Sequence, residues 1–157
     1  MTAYVVDARP EHILIVAEKM RHADVAEIWA AGRNTPRSAL RSSLAMSSYC
    51  KTIMLGEKPI AMFGVTPLSA ITGHGVPWML GTHEIESMPM RFLRGSVSYL
   101  KDMARGFSYL ENWVDARNKV SINWLRWLGF VIVKPEPYGH LGYPFHRFYM
   151  ENKSCAD

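Results

Sequence analysis

The segment 109–133 constrains the fold of this chain most, because it has the pattern of a strand, a short helix and a second strand. Residues 110–114 are suited to a strand, and Asn118 stands just before a helical run. Gly129 then supplies the residue that takes positive φ at a helix end, and residues 130–133 are apolar and β-branched, as strands are. Within the run, apolar residues recur at spacings of three and predict one buried face: Ile122, Leu125 and Leu128.

Helix and strand patterns continue on both sides of this unit. The glycine- and proline-rich segments 67–77 and 135–144 are predicted to be loops. The predicted order is strand 4–6, three helices that begin at Pro10, near Asp24 and at Thr35, a hairpin of strands 51–55 and 60–65, strand 76–82, helix 90–107, the central unit and strand 145–150. This order predicts an α/β fold, a mixed sheet with helices on both faces. The strands 76–82 and 109–115 are expected to be parallel neighbours that splay apart.

Length and composition narrow the class of protein. With 157 residues the chain has the size of one domain, to which we assign residues 1–150, and residues 151–157 form a C-terminal tail. A net charge of +4 without a long basic run does not indicate DNA or RNA binding. Cys50, Cys155 and the six histidines form no metal-ligand pattern, so we expect no metal. We also expect a reducing compartment, no signal peptide and no membrane span, since no apolar run approaches ~20 residues.

The central unit resembles the closing part of the acyl-CoA N-acyltransferase fold, the GNAT superfamily. Those proteins have a strand, an Asn, a helix that ends in Gly-Phe, and another strand. The matching residues here are Val114, Asn118, Ser121, Gly129 and Phe130. The element order extends the resemblance over nearly the whole chain. It implies a GNAT-like fold, acetyl-CoA as the cofactor and an amine as the substrate of an N-acetyltransferase.

Further segments resemble a narrower group, the internal virion protein A family of podophages, whose members are described as acetyltransferase-like. This resemblance implies a phage origin, a location in the phage virion or the host cytoplasm, and a host or virion protein as a partner. It implies less about chemistry. The segments run in the order of that family: Met20–Glu27, Ala61–Val65, Pro77–Thr82, Leu110–Asn118, Trp124–Phe130 and Phe145–Met150.

A GNAT enzyme holds the pyrophosphate of acyl-CoA on the backbone amides of a Gln/Arg-x-x-Gly-x-Gly/Ala turn at a helix start. At the corresponding place this chain has Met90-Arg-Phe-Leu-Arg-Gly-Ser96, in which an arginine occupies the first glycine position. The motif is therefore degenerate. The arginines either hold phosphate through their side chains or face solvent. The resemblance implies a cofactor-binding set of Thr82, Arg91, Arg94, Gly95, Ser96 and Asn118.

The expected acid–base groups are also altered. The superfamily usually has a Tyr five residues before the Phe of Gly-Phe, but that position is Leu125 here. Tyr138 or Tyr143 is an alternative acid, although spacing does not decide between them. His83 and Glu84 are the candidate catalytic residues, with Glu86 nearby, because they follow the strand that precedes the phosphate turn. The alternative is that these residues are plain surface.

Arg21, Asp24 and Glu27 share one face of a helix at spacings of three. They either bind a substrate amine or form a helix cap and a surface ion pair, and the second interpretation is the default. Two functions remain open at this point. One is an acetyl-CoA-dependent N-acetyltransferase, and the other is a non-catalytic protein that uses the same fold as a binding scaffold.

Overall fold

The computed structural model describes residues 2–88 and 90–153, without the side chains of residues 90 and 91. In this part of the chain seven strands form one sheet, in the order β1-β2-β3-β4-β5-β7-β6. The strands are β1 Ala3–Asp7, β2 Tyr49–Leu55, β3 Lys58–Ser69, β4 His74–Gly81, β5 Tyr109–Asp115, β6 Val131–Tyr138 and β7 Tyr143–Glu151. The helices are α1 Pro10–Glu18, α2 His22–Gly32, α3 Pro36–Met46, a 3-10 helix His83–Ser87, α4 Met90–Ala104 and α5 Lys119–Leu128.

Helices cover both faces of the sheet, so the predicted α/β class and mixed sheet are confirmed. One core cluster joins α1 and α3 to β3 and β4 through residues such as Val16, Leu40 and Met62. A second cluster joins α4 and α5 to β5 and β7 through Leu100, Leu110 and Ile122, among others. Since side chains alternate across a strand, β3 contributes to both clusters, with Met62 in the first and Val65 in the second. None of the described helices is long and apolar enough to cross a membrane.

β4 and β5 are parallel neighbours joined by α4, as predicted, and they separate after a short contact. Only two residue pairs join them, His74 with Tyr109 and Gly75 with Leu110. The Asn112 side chain donates from Nδ2 to the Pro77 carbonyl at 2.7 Å, across the opening gap. The N–H and C=O of a strand residue point to the same side, so Pro77 turns its missing N–H toward β5. The proline therefore helps to end the pairing at this point.

Both predicted loops were wrong. β3 continues to Ser69 and β4 begins at His74, and β6 and β7 form a hairpin that fills most of 135–144. Proline is compatible with β6 because β6 is the edge strand of the sheet and needs a partner on one side only. The glycines of the hairpin turn, Gly139 and Gly142, have positive φ. The pairing of whole strands outweighed the local turn signals.

Element ends differ from the sequence predictions by a few residues. α2 begins at His22 rather than near Asp24, so Asp24 is not its cap. α4 ends at Ala104 rather than 107, and Gly106 follows with a φ of 89°. At the C-terminus, the Asn152 amide donates to the Ser108 carbonyl at 2.9 Å. The predicted tail residues 154–157, including Cys155, lie outside the described residues.

Candidate functional site

A cavity of about 600 Å³ lies at the gap between β4 and β5 and extends to both faces of the sheet. On one face it is lined by α2, α3 and the outward side chains Trp78 and Trp113; we call this the α2/α3 lobe. On the other face it is lined by α4 and α5, including Phe92, Ser96, Trp124 and Leu125; we call this the α4/α5 lobe. Trp78 packs against the cluster formed by α1 and α3. Val114 belongs to the cluster of α4 and α5, and successive side chains point to opposite faces of a strand, so the neighbouring Trp113 lies on the face covered by α2.

At the gap, alternate residues of β4 point their backbone N–H and C=O groups toward β5. The N–H of Gly81 donates to Asp24 Oδ2 at 2.9 Å, and its carbonyl accepts from the Arg21 N–H at 2.9 Å. The carbonyl of Pro77 accepts from Asn112. Met79 lies between them with the same orientation, so its N–H and C=O face the gap where β5 has diverged. These two groups are available to an amide-containing ligand.

Two buried donor groups of the cavity lining have no partner among the described residues. They are Trp124 Nε1 and Arg21 Nε. A buried donor without an acceptor is costly, and an acceptor on a bound molecule removes that cost. The α4/α5 lobe and the gap therefore both have a place for an oxygen atom of a ligand.

The predicted phosphate turn has become part of a helix. Gly95 and Ser96 lie in the second turn of α4, where N–H groups bond to carbonyls of the preceding turn. Their amides are therefore not free donors, and the unpaired amides belong to residues 90–92 in the first turn. Arg94 is exposed. The Arg91 side chain lies outside the described residues. Ser96 lines the cavity, and its hydroxyl donates to the Leu93 carbonyl.

This placement makes Gly95 a testable position. An added Cβ at Gly95 meets nothing within 4 Å. Because alanine favours helix interiors over glycine, Gly95→Ala should raise the unfolding free energy by about 0.5–1 kcal/mol. Acetyl-CoA affinity should stay unchanged, since no free amide is altered. Chemical denaturation and calorimetric titration measure the two quantities. A large loss of affinity would show that the glycine is needed for close approach of phosphate.

Thr82 and Asn118 are both buried and both serve the protein's own structure. The Thr82 N–H and hydroxyl bond to the Ile60 carbonyl, at 2.8 and 3.1 Å. Asn118 is the N-cap of α5, and its Oδ1 accepts from the Ser121 N–H at 3.4 Å. Its Nδ2 donates to Glu27 Oε1, also at 3.4 Å. Asn118 thus positions the start of α5 beside the cavity.

Arg21 joins α2, the 3-10 helix and α5 at the end of the gap. Its Nη2 donates to Asp24 Oδ1 at 2.8 Å and to Ser121 Oγ at 2.5 Å, and Nη1 donates to Glu86 Oε1 at 3.1 Å. The side chains of Arg21 and Asp24 are only 3% and 2% exposed. The default interpretation of a helix cap and a surface ion pair was therefore wrong. The pair is a buried connection that holds the cavity wall together.

Glu27 lies one turn further along α2 and lines the cavity. Its Oε1 accepts from the Asp115 N–H at 2.8 Å. Burial, together with the nearby Asp24 carboxylate, raises the pKa of Glu27 from 4.5 to about 8. The carboxyl is thus suited to exchanging a proton near neutral pH. The spacing of Arg21, Asp24 and Glu27 was the signal of this cluster in the sequence, and the structure supplies the burial.

The raised pKa of Glu27 predicts a pH-dependent stability. The folded state holds this proton more tightly than the unfolded state, so the unfolding free energy falls as pH rises from about 4.5 to about 8. Glu27→Gln removes the charge and keeps an oxygen for the Asp115 N–H. The variant should exceed the wild type in stability by roughly 2–4 kcal/mol at about pH 8.5, and by much less at about pH 5.

Melting curves at the two pH values measure this difference. The exposed Glu18 gives the control, since Glu18→Gln removes the same charge without a buried carboxyl. An equal difference between Glu27→Gln and the wild type at both pH values would contradict a raised pKa.

The predicted catalytic residues lie on the 3-10 helix, and the structure does not bring them together at the cavity. His83 is exposed, and its ring lies against His22 with centroids 5.3 Å apart. Glu84 forms an ion pair with Lys58. Of the polar residues in this stretch, Glu86 is the one found in the described cavity lining, where it pairs with Arg21.

The candidate acids are also separated. Leu125 lines the cavity and packs against the α4/α5 cluster. Tyr138 stacks on Trp113 with centroids 4.4 Å apart, and burial raises the pKa of its phenol. Tyr143 is 41% exposed and lies under the Arg117 guanidinium. Tyr99 of α4, which the sequence did not single out, is a tyrosine that lines the cavity.

Comparison with solved structures identifies the fold of this chain. No protein-family model and no curated protein matches the sequence. Among solved structures, spermidine N-acetyltransferase from Vibrio cholerae in complex with CoA and spermine matches with a TM-score of 0.69 and 10% identity, over 99% of this chain and 98% of that chain. Ribosomal-protein-S18-alanine N-acetyltransferase from Escherichia coli matches with a TM-score of 0.67 and 11% identity, over 96% and 94%.

An acetyltransferase of the GNAT family from Streptococcus pneumoniae matches with a TM-score of 0.62 and 13% identity, over 96% of this chain and 99% of that chain. At such identities the likeness concerns the fold alone. It spans the whole sheet and its helices rather than one motif. This chain therefore has the α/β fold of the GNAT acetyltransferases.

Proposed function

We propose that the protein is an acyl-CoA-dependent N-acetyltransferase that acts on an amine. The observation that carries this proposal is the cavity at the β4/β5 gap, which is open to both faces of the sheet. A thioester that enters from the α4/α5 lobe and an amine that enters from the α2/α3 lobe meet at the gap. Holding two reactants in this way supplies much of the acceleration of a bimolecular step.

The residues at the gap fit the cofactor. The pantetheine arm of acetyl-CoA contains two amide groups, and Met79 offers an N–H and a C=O along the gap. Trp124 Nε1 and Arg21 Nε offer buried donors to its oxygen atoms. The free amides at the start of α4 suit the pyrophosphate, because a helix N-terminus favours negative charge. The bound thioester supplies an electrophilic carbonyl carbon, and Glu27 is the carboxyl in the lining that accepts the amine's proton.

Calorimetric titration with acetyl-CoA tests this proposal. Binding is expected for the wild type and should be lost in Ser96→Trp, which fills the α4/α5 lobe. Ser98→Trp is the matched control, since Ser98 is exposed on the same helix. Absence of wild-type binding would refute the proposed function, and so would equal binding by both variants together with the wild type.

Transfer to generic amines should be slow, because Leu125 cannot protonate the leaving thiolate. Positioned acid–base groups typically contribute ~10²–10⁴-fold in rate. Leu125→Tyr places a phenol at the edge of the cavity and should raise kcat about 10-fold or more. Release of CoA thiol, followed with a thiol reagent, measures the rate. Leu125→Phe is the control for bulk, and an equal gain in both variants would exclude an acid role for the phenol.

The second candidate is a non-catalytic phage protein that binds a host or virion partner, in the virion or in the host cytoplasm. The exposure of Arg94, the helical phosphate turn and Leu125 favour it. The same titration separates the candidates, because a scaffold of this kind has no need to bind acetyl-CoA. Capture of a host protein by the wild type, with no acetyl-CoA binding, would support the scaffold.

A further inference from the structure

We infer that the acceptor of the proposed transferase is a small aromatic primary amine that binds in the α2/α3 lobe. Its nitrogen lies at the Glu27 carboxyl, and its ring lies against Trp78 and Trp113. This inference rests on the proposed function and specifies its acceptor. Three observations carry it: the charge of the lobe, the rigidity of its indoles and the closure of its outer side.

The charge of the lobe favours a cation. Arg21 is the cationic residue in the described lining, and it is already paired with Asp24 and Glu86. Among the described residues Glu27 has no hydrogen-bond partner for Oε2, because Oε1 accepts both of its bonds, from the Asp115 N–H and from Asn118. A protonated amine satisfies the free oxygen and offsets the excess of carboxylates around Arg21.

The indoles of the lobe are held in fixed positions. Trp78 Nε1 donates to Ser47 Oγ at 2.8 Å. Trp113 stacks almost parallel on Tyr138, with an interplanar angle of 12°. Fixed aromatic faces bind a planar ring without losing side-chain freedom, and they attract an adjacent cation. A flexible polyamine, by contrast, gains little from such walls.

The β6–β7 hairpin closes the outer side of the lobe against α2. Gly139 approaches so closely that a Cβ there would lie 2.1 Å from the Ala30 carbonyl oxygen. The His140 ring meets the Trp29 ring edge-on, with centroids 5.9 Å apart. Backbone in direct contact with backbone leaves no passage for a polypeptide between hairpin and helix. This closed side favours a small acceptor over a protein N-terminus.

The reaction balances with these groups alone. Glu27 takes a proton from the ammonium group, and the freed nitrogen forms a C–N bond with the thioester carbonyl carbon. The C–S bond breaks, the nitrogen loses its second proton to water, and the leaving thiolate takes a proton from water, since Leu125 has none to give. Glu27 then releases its proton to solvent. The products are an N-acetyl arylalkylamine and CoA thiol, with one proton released overall.

Binding experiments test the acceptor separately from the cofactor. Wild-type protein at about pH 8.5 is titrated by calorimetry with 2-phenylethylamine, its neutral counterpart 2-phenylethanol, and spermidine. We expect 2-phenylethylamine to bind about 10-fold more tightly than either of the others. Glu27→Gln should abolish the preference for the amine over the alcohol. Trp113→Leu should weaken binding of both aromatic compounds.

Two controls match these variants. Glu18→Gln removes an exposed carboxyl, and Tyr4→Leu removes an aromatic ring that is 46% exposed and does not line the cavity. Neither should change amine affinity. Tighter binding of spermidine, or an unchanged preference in Glu27→Gln, would overturn the inference. Acetyl-CoA binding without aromatic-amine binding rejects this acceptor and keeps the transferase, whereas aromatic-amine binding without acetyl-CoA binding keeps the amine site and rejects the transferase.

Discussion

Arg21→Ala should lower the unfolding free energy by about 3–5 kcal/mol, the range for removing one partner of a buried ion pair. The variant leaves the Asp24 carboxylate buried, with the Gly81 N–H as its remaining partner, and it releases Glu86 and Ser121. For a domain of this size, the melting temperature should fall by about 10 °C. Denaturation monitored by circular dichroism measures both quantities.

Arg105→Ala is the matched control, because Arg105 and Asp102 form an Arg–Asp pair at the same spacing of three. Those side chains are 82% and 51% exposed, against 3% and 2% for Arg21 and Asp24. Exposed pairs are screened by water, so the loss should stay within about 0.5 kcal/mol. Similar losses in both variants would show that burial does not set the importance of Arg21.

Gly139→Ala should cost about 2–4 kcal/mol and displace the β6–β7 hairpin from α2. Gly139 has a φ of 76°, and its Cβ would collide with the Ala30 carbonyl oxygen and the Ala31 Cα. Neither contact is with a flexible side chain, so the backbone itself must move. Chemical denaturation gives the energy, and quenching of Trp29 fluorescence reports whether the hairpin has opened.

Gly142→Ala separates backbone strain from collision in the same hairpin. Gly142 has a φ of 68°, and nothing lies within 4 Å of its Cβ position. Left-handed backbone alone should cost about 1 kcal/mol. If the two alanine variants lose equal stability, the close contact between hairpin and α2 does not exist in solution.

Local sequence patterns were sufficient to predict the central unit, residues 109–133, and the order of the helices and strands. Asn118 caps α5, Gly129 ends it with a φ of 100°, and Ile122 is buried. These features depend on residues within one or two turns of each other, so a sequence displays them directly. The parallel pair of β4 and β5 also followed, because a helix between two strands requires a crossover.

The same patterns failed where distant strands decided the outcome. Residues 135–144 contain three prolines and two glycines spread along a hairpin, and pairing of β6 with β7 and of β7 with β5 organised them as strands. The phosphate turn shows a different limit of the sequence patterns. α4 begins at Met90, as predicted, and this start places the Gly95 amide in the second turn of the helix.

The sequence by itself determined the fold class, the parallel neighbours β4 and β5, and the residue types available for chemistry. Only the tertiary structure decided which of those residues meet. His83 and Glu84 followed the expected strand but turned to the surface and to Lys58. Arg21 and Asp24 became buried and Glu27 half-buried because α2 packs over the gap, where the ends of β4 and β5 supply the backbone N–H groups of Gly81 and Asp115. Burial and long-range hydrogen bonds set the pKa of a carboxyl, and neither is encoded in local spacing.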